Sequence, residues 1–493
     1  MAAAVQAASA AQQSQQSLAR AVAALQAARA AQQSAKSLAS TLNGGIPDGI
    51  ATNGLMPADG IAGDQTLWRG ALAPTQTAAN GRTLVDIQQT QQKAILNWKT
   101  FNVGRNTTLS FDQQASDWTV LNRVSDPSAS PSTILGQITA KGGVYIINQN
   151  GIIFGGGSQI NVHALVASDL DVGTLGQSRY DRDQFFLGTG IANGTLAVKS
   201  FSIGGEDKAT TTVGGGVVVQ AGAAIQTDAV GPDTPGGFAY LFGANVANYG
   251  TINVPNGEAA LVSGRAIYLT PNSDAAANFP AAVLPAGVTF RGTGFQIQQY
   301  ASTYHAFDGN AVGPYLSGTG SVANNGLIET RSGIVEMAGD RVSIGAQGVI
   351  SADTSITLPS MVLLHAATSV TLSGTISMLP FDTGATLPRS SSAGSNVQSF
   401  MPAYVEATAQ GQVTVEFERP RVGSLRVGFD QCRGYDGNGG VTGQDPVRRP
   451  DGQPEPVWPA TRVARARRHH RRGRIAERRT PGELQLHLGF TDQ

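Results

Sequence analysis

Short apolar runs cut by small-residue turns recur along this chain, and their length sets the first expectation. In residues 142–172, Val144, Tyr145, Ile146 and Ile147 form one run. Ile152, Ile153 and Phe154 form a second, and Leu165, Val166 and Ala167 a third. Asn148-Gln149-Asn150-Gly151 lies between the first two. An Asn-Gly step tolerates the positive φ of a tight turn. Gly155-Gly156-Gly157 makes the next corner. Strands this short, β-branched and bounded by Asn and Gly, suit a solenoid better than a long-stranded sheet.

The pattern before and after this stretch differs. Residues 1–43 are rich in Ala, Gln and Ser with neither Gly nor Pro, which predicts helix. They form a tandem repeat, QAASAAQQSQQSLA at 6–19 and QAARAAQQSAKSLA at 26–39. Leu18, Val22, Leu25, Leu38 and Leu42 make only a thin apolar stripe. Such a helix either binds a partner or another copy, or is a weakly held leader; the thin stripe favours the leader. Residues 44–81 carry Gly44-Gly45, Pro47-Asp48-Gly49, Asn53-Gly54 and Pro57 with no period, and read as a linker touching the body through Leu67 and Trp68. Strand patterns resume at Arg82: residues 83–87 and 107–111 alternate, and 93–101 carry Ile95, Leu96, Trp98 and Phe101. After Val172, loops are expected at 177–183, 206–212, 228–237, 275–294 and 300–316.

A repeat then emerges. Residues 246–252, VANYGTI, match residues 322–328, VANNGLI, and the register holds past Gly257 and Gly333 to Arg265 and Arg341. Gly326, Gly348 and Gly374 follow at intervals of 22 and 26 residues. That is the length of one solenoid coil with three short strands, whereas sandwich hairpins repeat about every 8–12 residues. The Ile and Val after each Gly are expected to point inward and form ladders. One further strand pair is expected at 412–417.

These residues resemble the N-terminal secretion domain of the filamentous haemagglutinin family, the exported partner of bacterial two-partner secretion (TPS). The family motif Asn-Pro-Asn-Gly-Ile reads here Asn148, Gln149, Asn150, Gly151 and Ile152, with Gln149 in place of Pro. The flanks agree at AILNWKTFNVG (94–104), LNRV (121–124), ILG (134–136) and LVAS (165–168), so the resemblance runs over about ninety residues. It implies an all-β, right-handed parallel β-helix with an N-terminal cap, in which the motif serves recognition by the transporter. A cap is also a physical need, because an open solenoid end exposes strand edges and apolar core. The implied partner is an outer-membrane β-barrel transporter with polypeptide-binding periplasmic domains. The implied role is that of a secreted or cell-surface adhesin.

Composition sharpens this picture. Only 14% of residues are charged and 61 are Gly, as in repetitive extracellular β proteins. The zero net charge hides an asymmetry: after Glu418 there are 15 Arg, no Lys and 8 acidic residues, about +7 against about −7 for the rest. This tail, with Arg465 to Arg472 reading RARRHHRR, is expected to be disordered. It is either a basic arm for acidic polymers or an out-of-frame stretch ending a truncated copy; its start where the repeats stop favours the second. The body has no nucleic-acid footprint. With one Cys, Cys432, no disulfide within the chain is possible. No transmembrane helix is expected. The Met1 region shows no signal peptide, so an exported protein would have its signal upstream of Met1 or already removed from this sequence.

No catalytic constellation is legible, and no cofactor is expected. His163, His305 and His365 lack neighbours at metal-ligand spacing. Asp169 and Asp171 alternate, and solvated loop carboxylates are expected there rather than a calcium or acid/base site, since calcium takes six or more oxygens. Two rival functions are a polysaccharide-degrading β-helix enzyme, which needs clustered acidic or basic residues on one face, and an autotransporter passenger, which needs a C-terminal barrel. The expected organisation is a helical leader (1–43), a linker (44–81), the secretion β-helix (82–344), further decaying coils (345–417) and the basic tail (418–493).

Overall fold

The computed structural model describes residues 2–41, 45–61, 64, 66–125, 130–173, 178–188, 199–202, 215–228, 236–264, 266–271, 295–300, 320–354, 360–379, 403–409, 412–415 and 484–488. The fold is a parallel β-helix. Its first face stacks Lys93–Phe101, Thr119–Val124, Gly143–Asn148, Ala164–Ser168, Phe238–Gly243 and Glu258–Ser263, then 334–338, 360–366 and Ala403–Ala409, all in parallel register. The second face stacks Ser132–Ile134, Ile152–Phe154, Val217–Val219, Asn245–Asn248, Ser321–Asn324, then 341–344, 369–372 and Gln412–Val415. The third runs from Arg82–Gln88 to Thr375–Ser377.

Side-chain alternation explains why these strands stack as they do. On the third face Val85, Leu109, Ile138, Ile160, Ile225, Ile252, Ile328, Ile350 and Ile376 lie in one register column. All but Ile376 are fully buried. On the first face Leu96, Asn122, Ile146, Ala167, Leu241, Leu261, Met337 and Leu364 form another. Asn122 is the polar member, and it is satisfied: it accepts from Trp98 Nε1 at 3.0 Å and donates to the Tyr145 carbonyl at 3.2 Å. An unpaired amide at that depth would cost about 1–3 kcal/mol.

The repeat is one coil step. Val246 pairs with Val322 and Ile252 with Ile328, so segments 76 residues apart in sequence are spatial neighbours. Gly250, Gly326 and Gly348 stack, their carbonyls accepting from Leu327, Val349 and Thr375 of the next coil at 2.8, 2.8 and 2.9 Å. One expectation is corrected. The second residue after each Gly, always Ile, points inward; the first, Leu327 or Val349, takes the outward position because the pleat alternates.

The cap comes from the segment expected to be a linker. Leu55–Pro57 and Trp68–Arg69 pair antiparallel with Lys93–Phe101, and Thr75–Ala79 pairs antiparallel with Arg82–Gln88. Leu55 is fully buried and Trp68 packs edge-on to Trp98 at 5.1 Å. Strands of two to five residues, separated by turns at Gly60 and Gly70 with positive φ, are too short to show a period.

A second apolar cluster sits outside the coils, against the outward side of the first face. It includes Tyr145, Ile147, Val166, Phe201, Phe242 and Ile267. A four-stranded antiparallel sheet of Asp171–Val172, Lys199–Ser202, Ala266–Pro271 and Phe295–Tyr300 contributes Val172, Phe201 and Ile267 to it. The loop expected at 177–183 is instead the start of a helix, Arg179–Leu187, which adds Phe186. Ser178 caps it by accepting from Asp181 N–H, and Gly188 ends it in the left-handed region. Its charges looked like loop because they serve ion pairs rather than an apolar stripe. Arg123 meets Asp171 at 3.2 Å and Asp183 at 2.6 Å, and Arg182, fully buried, donates to the Val172 carbonyl.

The N-terminal helix α1 spans Ala2–Thr41. The parts of the expected loops at 206–212, 275–294 and 301–316, and nearly all of the tail, lie outside the described residues. Within the tail, Leu484–Leu488 is a strand paired antiparallel with Ala403–Ala409. Its alternating Leu484, Leu486 and Leu488 are an apolar period that the arginine-rich composition around them obscured.

The ladders yield a direct test. Ile328→Ala should cost about 2–5 kcal/mol, the usual range for truncating a fully buried Ile, read by urea unfolding.

Candidate functional site

The motif turn is built between two coils. Asn148 ends a first-face strand and is 1% exposed. Its Oδ1 accepts from Asn150 N–H at 2.9 Å, closing an Asx turn, while its carbonyl accepts from Gly151 N–H at 2.8 Å. Its Nδ2 reaches back one coil, donating to the Ser130 carbonyl at 3.2 Å and to Ser132 Oγ at 3.0 Å. Gly151 has φ +105°, and a Cβ there would lie 2.8 Å from the Gly216 carbonyl oxygen of the next coil. Ile152 is fully buried and donates its N–H to that same oxygen at 3.0 Å. Gln149 and Asn150 stay half-exposed. The five motif residues thus divide into two groups: Asn148, Gly151 and Ile152 fix the bend, and Gln149 and Asn150 present its surface.

The same device recurs at Asn248 and Asn324, whose Oδ1 atoms accept from Gly250 and Gly326 N–H at 3.1 and 3.3 Å. These two also form a ladder, Asn248 Nδ2 donating to Asn324 Oδ1 at 2.9 Å. Asn148 differs in bonding Ser130 and Ser132 rather than another Asn.

Asp169 braces the turn from behind. It is 2% exposed, and its Oδ2 accepts from Gly216 N–H at 2.9 Å and Ala244 N–H at 3.0 Å. Burial pushes its carboxyl up to about 6, with the two backbone donors partly opposing. Gly216 therefore links Asp169 to Ile152. Asp171 is 4% exposed and ion-paired with Arg123. Both carboxylates were expected in solvent. Asp169 is enclosed by Gly216, Gly243 and Ala244 of later coils, and Asp171 by the outer sheet and Arg182, none of which is adjacent in the local sequence. Ser130, Ser132 and Gly216 were also missed, because they reach the turn only through coil stacking. Among the described residues, no group of three His, Cys, Asp or Glu is placed to hold a metal ion.

A capped parallel solenoid, with a backbone-anchored turn near its founding end, half-exposed amides at the tip and carboxylates bonded inward, defines the class of β-helix proteins. Residues 59–312 match the TPS secretion domain family, and the chain belongs to that family. It is similar to two heme/hemopexin-binding proteins of Haemophilus influenzae. One is 34% identical over 109 residues, 22% of this chain and 11% of the relative. The other is 30% identical over 193 residues, 39% of this chain and 18% of the relative. The chain thus matches under a fifth of the length of these curated relatives. Among solved structures, the HMW1 secretion domain from Haemophilus influenzae aligns with TM-score 0.34 and 20% identity, over 62% of this chain and 72% of that one. The filamentous hemagglutinin secretion domain aligns with TM-score 0.27 and 12% identity, over 66% and 96%.

Two predictions follow from this geometry. Asn148→Ala removes the acceptor of Asn150 N–H and the donor to Ser130 and Ser132, and should destabilise the chain by about 1–3 kcal/mol in denaturant titrations. Asp169 has a folded pKa above its free value, so its contribution is full below about pH 4 and is lost as pH rises through about 6. Relative to Asp169→Asn, the native chain should therefore lose on the order of 2–3 kcal/mol between pH 4 and pH 8, measured by urea unfolding at each pH.

Proposed function

We propose that this chain is the secretion-directing part of a secreted, adhesin-like exoprotein, exported through a partner outer-membrane transporter. The observation that carries the reading is the family match of residues 59–312, which covers the capped, motif-bearing part of the solenoid. The partner is a β-barrel with periplasmic domains that bind polypeptide, and the final location is the medium or the cell surface. Asn148, Gln149, Asn150, Gly151 and Ile152 form the recognition turn, with Gln149 and Asn150 as the residues a receptor touches. Among the described residues no helix is long and apolar enough to cross a membrane.

The fold suits this role. Each new coil finds a preformed edge of N–H and C=O groups and an apolar ladder to extend, so folding outside the membrane can bias movement without a nucleotide. The family is one of secreted exoproteins and is not a known enzyme family, and the buried carboxylates Asp169 and Asp171 are held in structural bonds.

The test is co-expression of the full chain, fused to a general secretion signal, with and without a TPS transporter from the same genome. Protein should reach the medium only with the transporter. Paired Gln149→Ala and Asn150→Ala substitutions should lower export at least about tenfold while circular dichroism stays unchanged. Equal export without a transporter would end the proposal; unimpaired export of the paired variant would remove the turn from it.

A further inference from the structure

Helix α1 lies along the body, over the corner between the second and third faces. A Cβ added at Gly156 would sit 2.8 Å from Ala39 Cβ, and one added at Gly222 would sit 2.6 Å from Lys36 N. Gln32 accepts from Gly222 N–H at 2.9 Å and donates to the Tyr249 carbonyl at 2.7 Å. Arg29 pairs with Glu329, its Nε at 3.2 Å. Helix α1 also packs on the strands Leu327–Arg331, Val349–Asp353 and Thr375–Ser377.

The spacing of these contacts has a geometric cause. Coils repeat about every 4.8 Å and a helix rises about 1.5 Å per residue, so a helix parallel to the axis meets a new coil about every 3.2 residues. Positions 39, 36, 32 and 29 meet successive coils. Among the half-buried residues of α1, Ala21, Leu25, Ala28, Gln32, Ala35 and Ala39 follow the same steps of three and four, with Val22 and Ala24 half-buried beside them. A second observation agrees. Leu327 and Val349 point away from the solenoid core, belong to neither apolar cluster, and are only 1% and 4% exposed. Their strands are the ones α1 packs against.

We infer that α1 is a strap that closes on a completed stack and couples coils that do not touch one another. A solenoid is otherwise held by nearest-neighbour contacts, and its outer coils open independently. The strap joins the coil at Gly156 to the coil at Thr375, so its seat exists only once every coil between them has stacked. Its apolar stripe is too thin to hold α1 ordered before that point. The strap covers Leu327 and Val349 and makes several coils open together.

Hydrogen exchange on the full chain, read by mass spectrometry, tests this. Arg29→Glu and, separately, Ala28→Pro should speed exchange of strand amides in 327–331 and 349–353 by about tenfold or more. Amides of 82–88 and 107–112, beyond the strap, should keep their native rates. Combining Arg29→Glu with Glu329→Arg should restore protection. Native rates at 327–331 and 349–353 in both single variants would overturn the inference. So would equal loss of protection along the whole solenoid, or a double variant no better protected than Arg29→Glu.

Discussion

Everything in this molecule depends on one coil offering its edge to the next. The parallel register runs unbroken from Arg82–Gln88 to Thr375–Ser377 on the third face, and its central inward column repeats Ile from Ile138 to Ile376. Ile stacked on Ile leaves no step in volume between those layers, so this column packs without compensating changes in size. The stacked glycines at the coil corners serve the same end. A Cβ at Gly326 would lie 2.3 Å from the Gly250 carbonyl oxygen, so only Gly lets the corners approach closely enough for the inter-coil bonds.

An edge that templates the next coil also has to be stopped at the first one. The cap does this with antiparallel strands, which use the free backbone groups of Lys93–Phe101 and Arg82–Gln88 without offering a parallel continuation. Trp68, Trp98 and Phe101 fill the end, their rings edge-to-face at 5.1 and 5.2 Å. Close to this end lies the Asn148 turn, held by bonds to the coil before and the coil after it. A surface fixed from both sides is preorganised.

The excursions are compatible with this regularity because they leave and return at coil boundaries. The chain departs after Ser263 and comes back at Ser321 one coil higher, with the repeat intact. What it builds outside, the antiparallel sheet and the Arg179–Leu187 helix, buries an outward face that already carried Tyr145, Val166 and Phe242. Arg123 closes the join through Asp171 and Asp183, a buried arrangement in which loss of Arg123 leaves Asp171 buried without its ion-pair partner.

How much was legible follows from the range of each interaction. The sequence by itself determined the short strands, the Asn-Gly bends, the 22- and 26-residue coil length and the family resemblance. All of these are set by local backbone preference and by a period that repeats within a few dozen residues. It also showed that Val246–Ile252 and Val322–Ile328 correspond, though not that 76 residues of sequence amount to one layer. The cap strands were hidden because two to five residues cannot display a period. Asp169 and Asp171 looked like solvent-facing carboxylates because their cover comes from residues far along the chain. The outward position of Leu327 and the seat of α1 needed the stacked coils themselves. Only the tertiary structure decided which polar groups are buried, which bend is braced by which carboxylate, and what the leader helix touches, because each depends on segments brought together by stacking and on nothing adjacent in sequence.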